Sequence, residues 1–161
     1  SRWTEFAFAL LSILRPPAPE LMPHDPSPSP ITAVFVYGTL KRGECRAKFW
    51  PCQPIAVESA TIRGRLYDLG PYPALGPGDD TIRGEVWRLP AEDMPETLRV
   101  LDEVEGATQL GSAYYRRIVV TCTTDDGASL QAFAYEFADL SRLRAAQVIS
   151  PNQHRECSWP T

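Results

Sequence analysis

The chain has 161 residues, of which 43% are hydrophobic and 22% are charged, and its net charge is −4 at pH 7. This length and composition fit one globular domain with its own core. The negative charge argues against a nucleic-acid-binding protein, because such proteins normally carry a basic stripe.

The cysteines and histidines are too scattered for a metal site or a histidine-based nucleophile. The four cysteines form no C-x-x-C pair, and both histidines lie near the ends of the chain. A zinc site needs tighter spacing, and a serine or cysteine nucleophile needs a nearby base. We therefore expect free thiols in a reducing, cytoplasmic compartment. Proton transfer would fall to a carboxylate, a lysine, a tyrosine or water.

The N-terminal segment lacks the features of a packed domain. Its apolar run at residues 6–14 is shorter than the roughly 20 residues needed to cross a bilayer, and a signal-peptide core is the alternative interpretation. Seven prolines between positions 16 and 30 remove backbone donors and predict a disordered or extended arm over residues 1–30. We expect Met22 to be the natural start and residues 1–21 to be an upstream extension.

The folded domain is expected over residues 31–150, with residues 151–161 as a tail. Residues 31–37 form a nearly continuous apolar run, which is typical of a strand buried on both faces. Gly38 ends this strand, and successive N–H groups of the turn at residues 37–40 can approach a ligand carboxylate. An ordinary strand exit is the alternative. An exposed turn at residues 41–43 and a short helix at residues 47–51 should follow.

Two later segments, residues 61–67 and 81–87, both begin Thr-Ile-Arg-Gly. Both alternate in polarity as half-buried strands do, and a strand glycine marks a bend or a close backbone approach. The repetition indicates either a strongly curved sheet or a chance similarity between the two arms of a hairpin. The glycines and prolines of residues 70–78 predict a loop between them, which could rim a pocket.

Residues 93–105 carry the strongest helical pattern in the chain. Asp93 and Glu96 have the spacing of a capping box, and Pro95 falls in the first turn, where its missing N–H does little harm. Gly106 is a typical C-terminal stop. The sequence therefore predicts a helix that ends at or next to residue 105.

One acid at the end of this helix should face the core. At about 100° per residue, Glu105 continues the apolar stripe, whereas Asp102 lies on the flank and Glu103 on the far side. Desolvation, the helix dipole and the neighbouring acids would all raise the pKa of this carboxyl toward the range of a general base. The alternative is a helix that ends one residue earlier, with Glu105 exposed or paired with a strand arginine, Arg116 or Arg117.

Two more strands are expected at residues 115–123 and 130–137, with Asp-Asp-Gly at residues 125–127 as the hairpin signal. After residue 139 we expect irregular structure or one short helix.

Five segments keep the order of motifs in a known family. They are VFVYGTLKRG at 34–43, RGRLY at 63–67, GEVW at 84–87, LDEVEG at 101–106 and YRR at 115–117. Over residues 32–137 the chain thus resembles the γ-glutamylcyclotransferase-like family, and especially its γ-glutamylamine cyclotransferase and plant avirulence-induced branch. The resemblance implies an α+β fold, a small mixed β-barrel with one main helix beside a cavity.

The resemblance also implies an enzyme of transferase or lyase type. Members cyclise a γ-glutamyl group to 5-oxoproline and release the amine without a metal or another cofactor, so the partner would be a small γ-glutamyl substrate, with no nucleic acid and no membrane. A γ-glutamyl amine and a small γ-glutamyl peptide are alternative substrates, and a non-catalytic small-molecule binding module on the same fold is the alternative function. The implied site comprises Glu105 as proton acceptor, Tyr37, Gly38, Thr39 and Leu40 around the γ-glutamyl group, and Tyr135 on the pocket wall.

Overall fold

The computed structural model describes residues 30–107 and 114–161. Five strands form a closed mixed β-barrel, which confirms the expected fold class: β1 (Ala33–Val36), β2 (Ala56–Asp68), β3 (Pro73–Arg88), β4 (Tyr115–Thr124) and β5 (Ser129–Phe137). Their order is β1-β5-β4-β2-β3, and β3 returns to pair with β1. The β1–β5 pair is parallel and the other four are antiparallel.

One main helix, α1 (Met94–Val104), lies within the range expected from the sequence. No helix in the described ranges combines the length and the apolar character that a membrane crossing requires. The arm that the prolines predict lies outside the described residues, apart from Pro30.

The two repeated segments are the two arms of one long hairpin. Ile62 lies opposite Ile82 in the antiparallel β2–β3 pair, and the register shifts after Gly64. At Gly84 a Cβ atom would lie 2.4 Å from the carbonyl oxygen of Val36. Gly64 therefore marks an irregularity of the β2–β3 pair, and Gly84 marks the close approach of β1 to β3. A bend and a close backbone approach are the two roles expected of a glycine within a strand.

The loop expected over residues 70–78 is wrong for most of its length. β3 begins at Pro73, and the buried residues Ala74 and Leu75 lie opposite Tyr67 and Leu66 of β2. Pairing with a long neighbouring strand outweighs the low β-propensity of glycine and proline. Proline is tolerated at the first position of a strand, because its missing N–H group does not interrupt the hydrogen bonds of the strand interior.

The start of α1 differs from the expected capping box. A 3-10 turn (Ala91–Asp93) runs directly into the helix, and the Asp93 side chain makes no capping hydrogen bond. Pro95 does occupy the first turn. The backbone of Asp93 is already helical, so its side chain lacks the extended geometry in which an N-cap reaches the third N–H group.

The remaining elements complete the barrel and its packing. A 3-10 turn (Ala47–Phe49) occupies the position of the expected short helix, and two more (Leu140–Arg142 and Ala145–Gln147) follow β5. The segment expected to be a tail contributes β6 (Glu156–Cys157), which pairs with β3 and packs Cys157 and Trp159 into the barrel core. The folded domain therefore extends beyond residue 150, because this segment supplies buried apolar area that the barrel would otherwise expose.

Candidate functional site

A cavity lies between the end of β1, the start of β3 and the end of α1. The structure brings together all six site residues named from the sequence: Tyr37, Gly38, Thr39, Leu40, Glu105 and Tyr135 line it. The rest of the wall is Phe35, Val36, Arg46, Tyr72, Pro73 and Tyr115. Tyr72 belongs to the segment of residues 70–78, for which a pocket rim was one of the possible roles.

The turn after β1 lines this cavity and carries backbone donors without acceptors. The Lys41 N–H donates to the Gly38 carbonyl at 3.1 Å, which closes the turn. Among residues 30–107 and 114–161, the N–H groups of Gly38, Thr39 and Leu40 have no hydrogen-bond acceptor. Unpaired backbone donors in a buried turn cost free energy, so a ligand oxygen in the cavity would gain their hydrogen bonds.

Gly38 also has a steric reason to be glycine. A Cβ atom at this position would lie 2.7 Å from Cγ of Pro73, the first residue of β3. The turn and β3 therefore approach more closely than any side chain at this position would allow.

The two predicted tyrosines support the site with their hydroxyls already engaged. The Tyr37 hydroxyl donates to the Tyr135 carbonyl at 2.5 Å and accepts from the Leu75 N–H at 3.2 Å. The Tyr135 hydroxyl donates to Asp102 at 2.7 Å. Burial raises the pKa of both phenols, and for Tyr135 the hydrogen bond to Asp102 adds to the effect. Both tyrosines are therefore neutral donors that join the turn, β5 and α1.

Glu105 occupies the end of α1 with its backbone still helical, at φ −86° and ψ −4°. Because the helical phase continues through this residue, its half-buried side chain reaches the cavity, as the apolar stripe predicts. Burial raises its carboxyl pKa to about 7 from an ordinary 4.5, and the positive charge of Arg46 opposes that rise. Of the three effects expected to raise this pKa, desolvation is the one that accounts for the rise.

The alternative for Glu105, a shorter helix with this acid exposed or paired with a strand arginine, is correct only for the length of the helix. The helix does end at Val104, but the strand arginines have other partners: Arg116 pairs with Glu136 and Arg117 with Asp102. Gly106, with φ of 68°, ends the helix as expected. The Gly106 and Ala107 N–H groups cap two carbonyls of the last turn at 3.1 and 2.8 Å, which is a Schellman motif.

Two further wall residues were not predicted from the sequence as part of the site. Arg46 is one of several basic residues in a polar stretch, and nothing in the spacing distinguishes it. Its N–H donates to the Thr39 carbonyl at 2.9 Å, and its guanidinium donates to the Val104 carbonyl at 3.3 Å. Tyr115 is a predicted strand residue whose hydroxyl donates to the Pro73 carbonyl at 2.8 Å. Only the fold brings these two side chains to the turn and the helix end.

The described residues contain no cluster of three or more histidine, cysteine, aspartate or glutamate side chains that could hold a metal ion.

Comparison with known proteins gives a consistent result. A family model described as "Gamma-glutamyl cyclotransferase, AIG2-like" matches residues 34–159. The chain is 27% identical over 88 residues to the gamma-glutamylcyclotransferase family protein YtfP of Escherichia coli K12, covering 55% of this chain and 72% of that protein.

Two solved structures are similar in fold. Protein PH0828 of Pyrococcus horikoshii has a TM-score of 0.50 and 23% identity, with 73% of this chain and 85% of that chain covered. YkqA of Bacillus subtilis also has a TM-score of 0.50, with 24% identity, and the match covers 66% of this chain and 36% of that longer chain.

Proposed function

The chain belongs to the gamma-glutamyl cyclotransferase, AIG2-like family, and from that premise we propose that it cyclises a γ-glutamyl amine or a small γ-glutamyl peptide to 5-oxoproline and releases the free amine. The observation that carries the proposal is the half-buried carboxyl of Glu105, whose pKa of about 7 lets it both accept and return a proton near neutral pH. It lines the same cavity as the unpaired amides of the turn at residues 37–40.

The reaction needs no protein nucleophile, because the α-amine of the substrate attacks its own γ-carbonyl. A carbon–nitrogen bond forms to this amine, and the bond from the γ-carbon to the leaving nitrogen breaks. Two protons leave the attacking nitrogen, which begins as an ammonium and ends as a lactam N–H. Two protons arrive on the leaving nitrogen, which departs as an ammonium. Glu105 can carry these protons one after the other, so the overall step is balanced without any added reactant.

Orientation of the substrate within the cavity is the second contribution to the reaction rate. An intramolecular attack is fast only if the substrate is held with its amine near its γ-carbonyl, and a shaped cavity can supply that orientation. The amides of Gly38, Thr39 and Leu40 can hold the α-carboxylate of the glutamyl group, or stabilise the oxyanion that develops on the γ-carbonyl. Tyr37 and Tyr135 act by fixing the turn and the wall, since both hydroxyls already donate to protein acceptors.

The test is direct formation of 5-oxoproline. The full chain would be incubated with a panel of γ-glutamyl amines and γ-glutamyl dipeptides, and the products quantified by mass spectrometry. Glu105→Gln keeps the shape of the side chain but removes the proton acceptor, so we expect a loss of about 10²–10⁴ in rate. Glu92→Gln, an exposed glutamate just before α1, is the matched control and should keep the full rate.

Two outcomes would contradict the proposal. One is the absence of 5-oxoproline across the whole panel, and the other is full activity in Glu105→Gln. Absence of product together with calorimetric binding of a panel member would instead support the non-catalytic binding module.

A further inference from the structure

The cavity continues into a second groove at the end of α1. Four residues line both spaces and form the neck between them: Arg46, Tyr72, Glu105 and Tyr115. The groove beyond the neck is lined by Glu103, Val104, Gly106 and Tyr114. If the glutamyl group lies against the turn amides and its γ-carbonyl lies at Glu105, the leaving amine must pass through the neck toward this groove.

Arg46 differs from the other arginines that are shielded from solvent. Taken as whole residues, three arginines of the described chain are half-buried: Arg46, Arg83 and Arg88. Arg83 and Arg88 each pair with carboxylates of the protein, whereas Arg46 has no ion-pair partner within the described ranges. Among the residues that the structure describes, its side chain makes a single hydrogen bond, to the Val104 carbonyl at 3.3 Å.

This arrangement leaves most of the guanidinium's hydrogen-bonding capacity unused. A guanidinium has five N–H donors in a planar fork that matches a carboxylate. Holding such a cation partly away from water is unfavourable unless an anion accompanies it. Two acids line the groove, and one of them, Glu103, is bridged to Arg99 at 3.1 Å. The other, Glu105, lies close enough for the charge of Arg46 to lower its pKa, but the two side chains form no ion pair. Within the described ranges, the guanidinium fork of Arg46 therefore has no direct carboxylate partner.

We propose that Arg46 binds a carboxylate on the leaving amine, so that the preferred substrate is a γ-glutamyl peptide whose departing group is an α-amino acid. This inference rests on the proposed function. In such a peptide the carboxylate is joined to the scissile nitrogen through a single carbon, so it lies close to Glu105 and within the neck that Arg46 lines. The carboxylate takes no part in bond making or breaking, and Arg46 orients the leaving group.

The glutamyl α-carboxylate is the other anion of the substrate, and it has its own donors. Gly38, Thr39 and Leu40 line the cavity but not the groove, and their N–H groups have no acceptor in the described chain. Assigning that carboxylate to the turn leaves Arg46, at the neck, for the leaving group. If Arg46 instead bound the glutamyl carboxylate, every substrate would depend on it equally.

A matched pair of substrates separates these possibilities. γ-Glutamylalanine and γ-glutamylethylamide differ only by the carboxylate of the leaving group. We expect the wild-type chain to show a kcat/KM at least about 10-fold higher for the peptide, in line with a charge-assisted hydrogen-bonded pair. Arg46→Gln should lower kcat/KM for γ-glutamylalanine by about 10- to 100-fold and leave γ-glutamylethylamide within about 2-fold.

Conditions and controls keep the result interpretable. Rates would be measured at pH 8.5, where the Glu105 carboxyl with a pKa of about 7 is ionised, so that a change in its pKa does not disturb the comparison. Arg46→Lys keeps the charge without the fork and should retain part of the preference. Arg142→Gln removes an exposed arginine outside both spaces and should change neither substrate.

The inference is overturned if the wild type makes 5-oxoproline from both substrates at similar kcat/KM, a measurement that needs no variant. It is also overturned if Arg46→Gln lowers both substrates by the same factor. Absence of 5-oxoproline from both substrates in the wild type would overturn the proposed function itself, which is a different result from either of these.

Discussion

Two acids near the end of α1, one turn apart, have opposite surroundings. Asp102 accepts a hydrogen bond from the Tyr135 hydroxyl at 2.7 Å and pairs with Arg117 at 3.1 Å. Glu105 has no hydrogen-bond donor for its carboxylate in the described chain, and burial raises its pKa to about 7. Asp102, which joins α1 to the barrel, therefore has hydrogen-bonding partners, whereas the carboxylate of Glu105, which faces the cavity, has none in the described chain. A carboxyl without fixed partners keeps its proton exchangeable, which general acid–base catalysis requires.

The largest effect expected from the contrast between Asp102 and Glu105 is on the pH dependence of the free energy of unfolding. Because the pKa of Glu105 is about 7 in the folded chain and 4.5 ordinarily, the folded state binds this proton more tightly than the unfolded state. Its contribution to stability is fully present below pH 4.5 and is lost as the pH rises through 7. The difference in pKa corresponds to roughly 3 kcal/mol.

Urea unfolding of the wild type and of Glu105→Gln, at acidic and alkaline pH, measures this contribution. We expect the variant to gain roughly 3 kcal/mol relative to the wild type between pH 4.5 and 8. The exposed control Glu92→Gln should show no such gain. A constant difference between wild type and Glu105→Gln across this range would mean that Glu105 is as well solvated as a surface acid, and the contrast with Asp102 would disappear.

Asp102→Asn should lower the free energy of unfolding and leave the rate of 5-oxoproline formation almost unchanged, the opposite of what we expect for Glu105→Gln. The asparagine oxygen can still accept from Tyr135 and Arg117, but it loses the charge that strengthens both contacts. Asp102 and Arg117 are partly exposed, so we expect a loss of about 1–2 kcal/mol in the free energy of unfolding. The rate of 5-oxoproline formation should change little, because Asp102 does not line the cavity. If Asp102→Asn kept wild-type stability but no longer formed 5-oxoproline, Asp102 would have a role in catalysis, and the prediction would be wrong.

The sequence predicts the parts of this molecule that depend on local pattern. The apolar run of β1 requires burial on both faces, and Gly38 requires a sharp exit, so the strand and its turn follow directly. The phase of α1 and the stop at Gly106 bring Glu105, rather than Glu103, to the core side. These features depend on neighbours within one turn or one strand, and such neighbours are visible in the sequence.

Features that depend on distant partners could not be predicted in this way. Pro73 and Gly76 belong to β3 only because the long strand β2 pairs with them, and this pairing outweighs their own low propensity. Trp159 packs into the barrel core from a segment with no strand pattern. Arg46 is distinguished by the partners that it lacks in three dimensions, which no spacing in the sequence reveals.

The smallest predicted effect concerns the charge of Arg46, which acts on Glu105. Arg46 lowers the pKa of this carboxyl, against the larger effect of burial. Arg46→Gln should therefore raise the pKa, so that the rising limb of the pH profile of kcat/KM moves to higher pH. γ-Glutamylethylamide is the suitable substrate, since it has no leaving-group carboxylate to lose. Arg46→Lys keeps the charge and should keep the wild-type midpoint, and high salt should shrink the difference between wild type and Arg46→Gln by screening it. A midpoint that stays in place in Arg46→Gln would show that burial alone determines the titration of Glu105, and a midpoint that moves to lower pH would contradict the predicted direction.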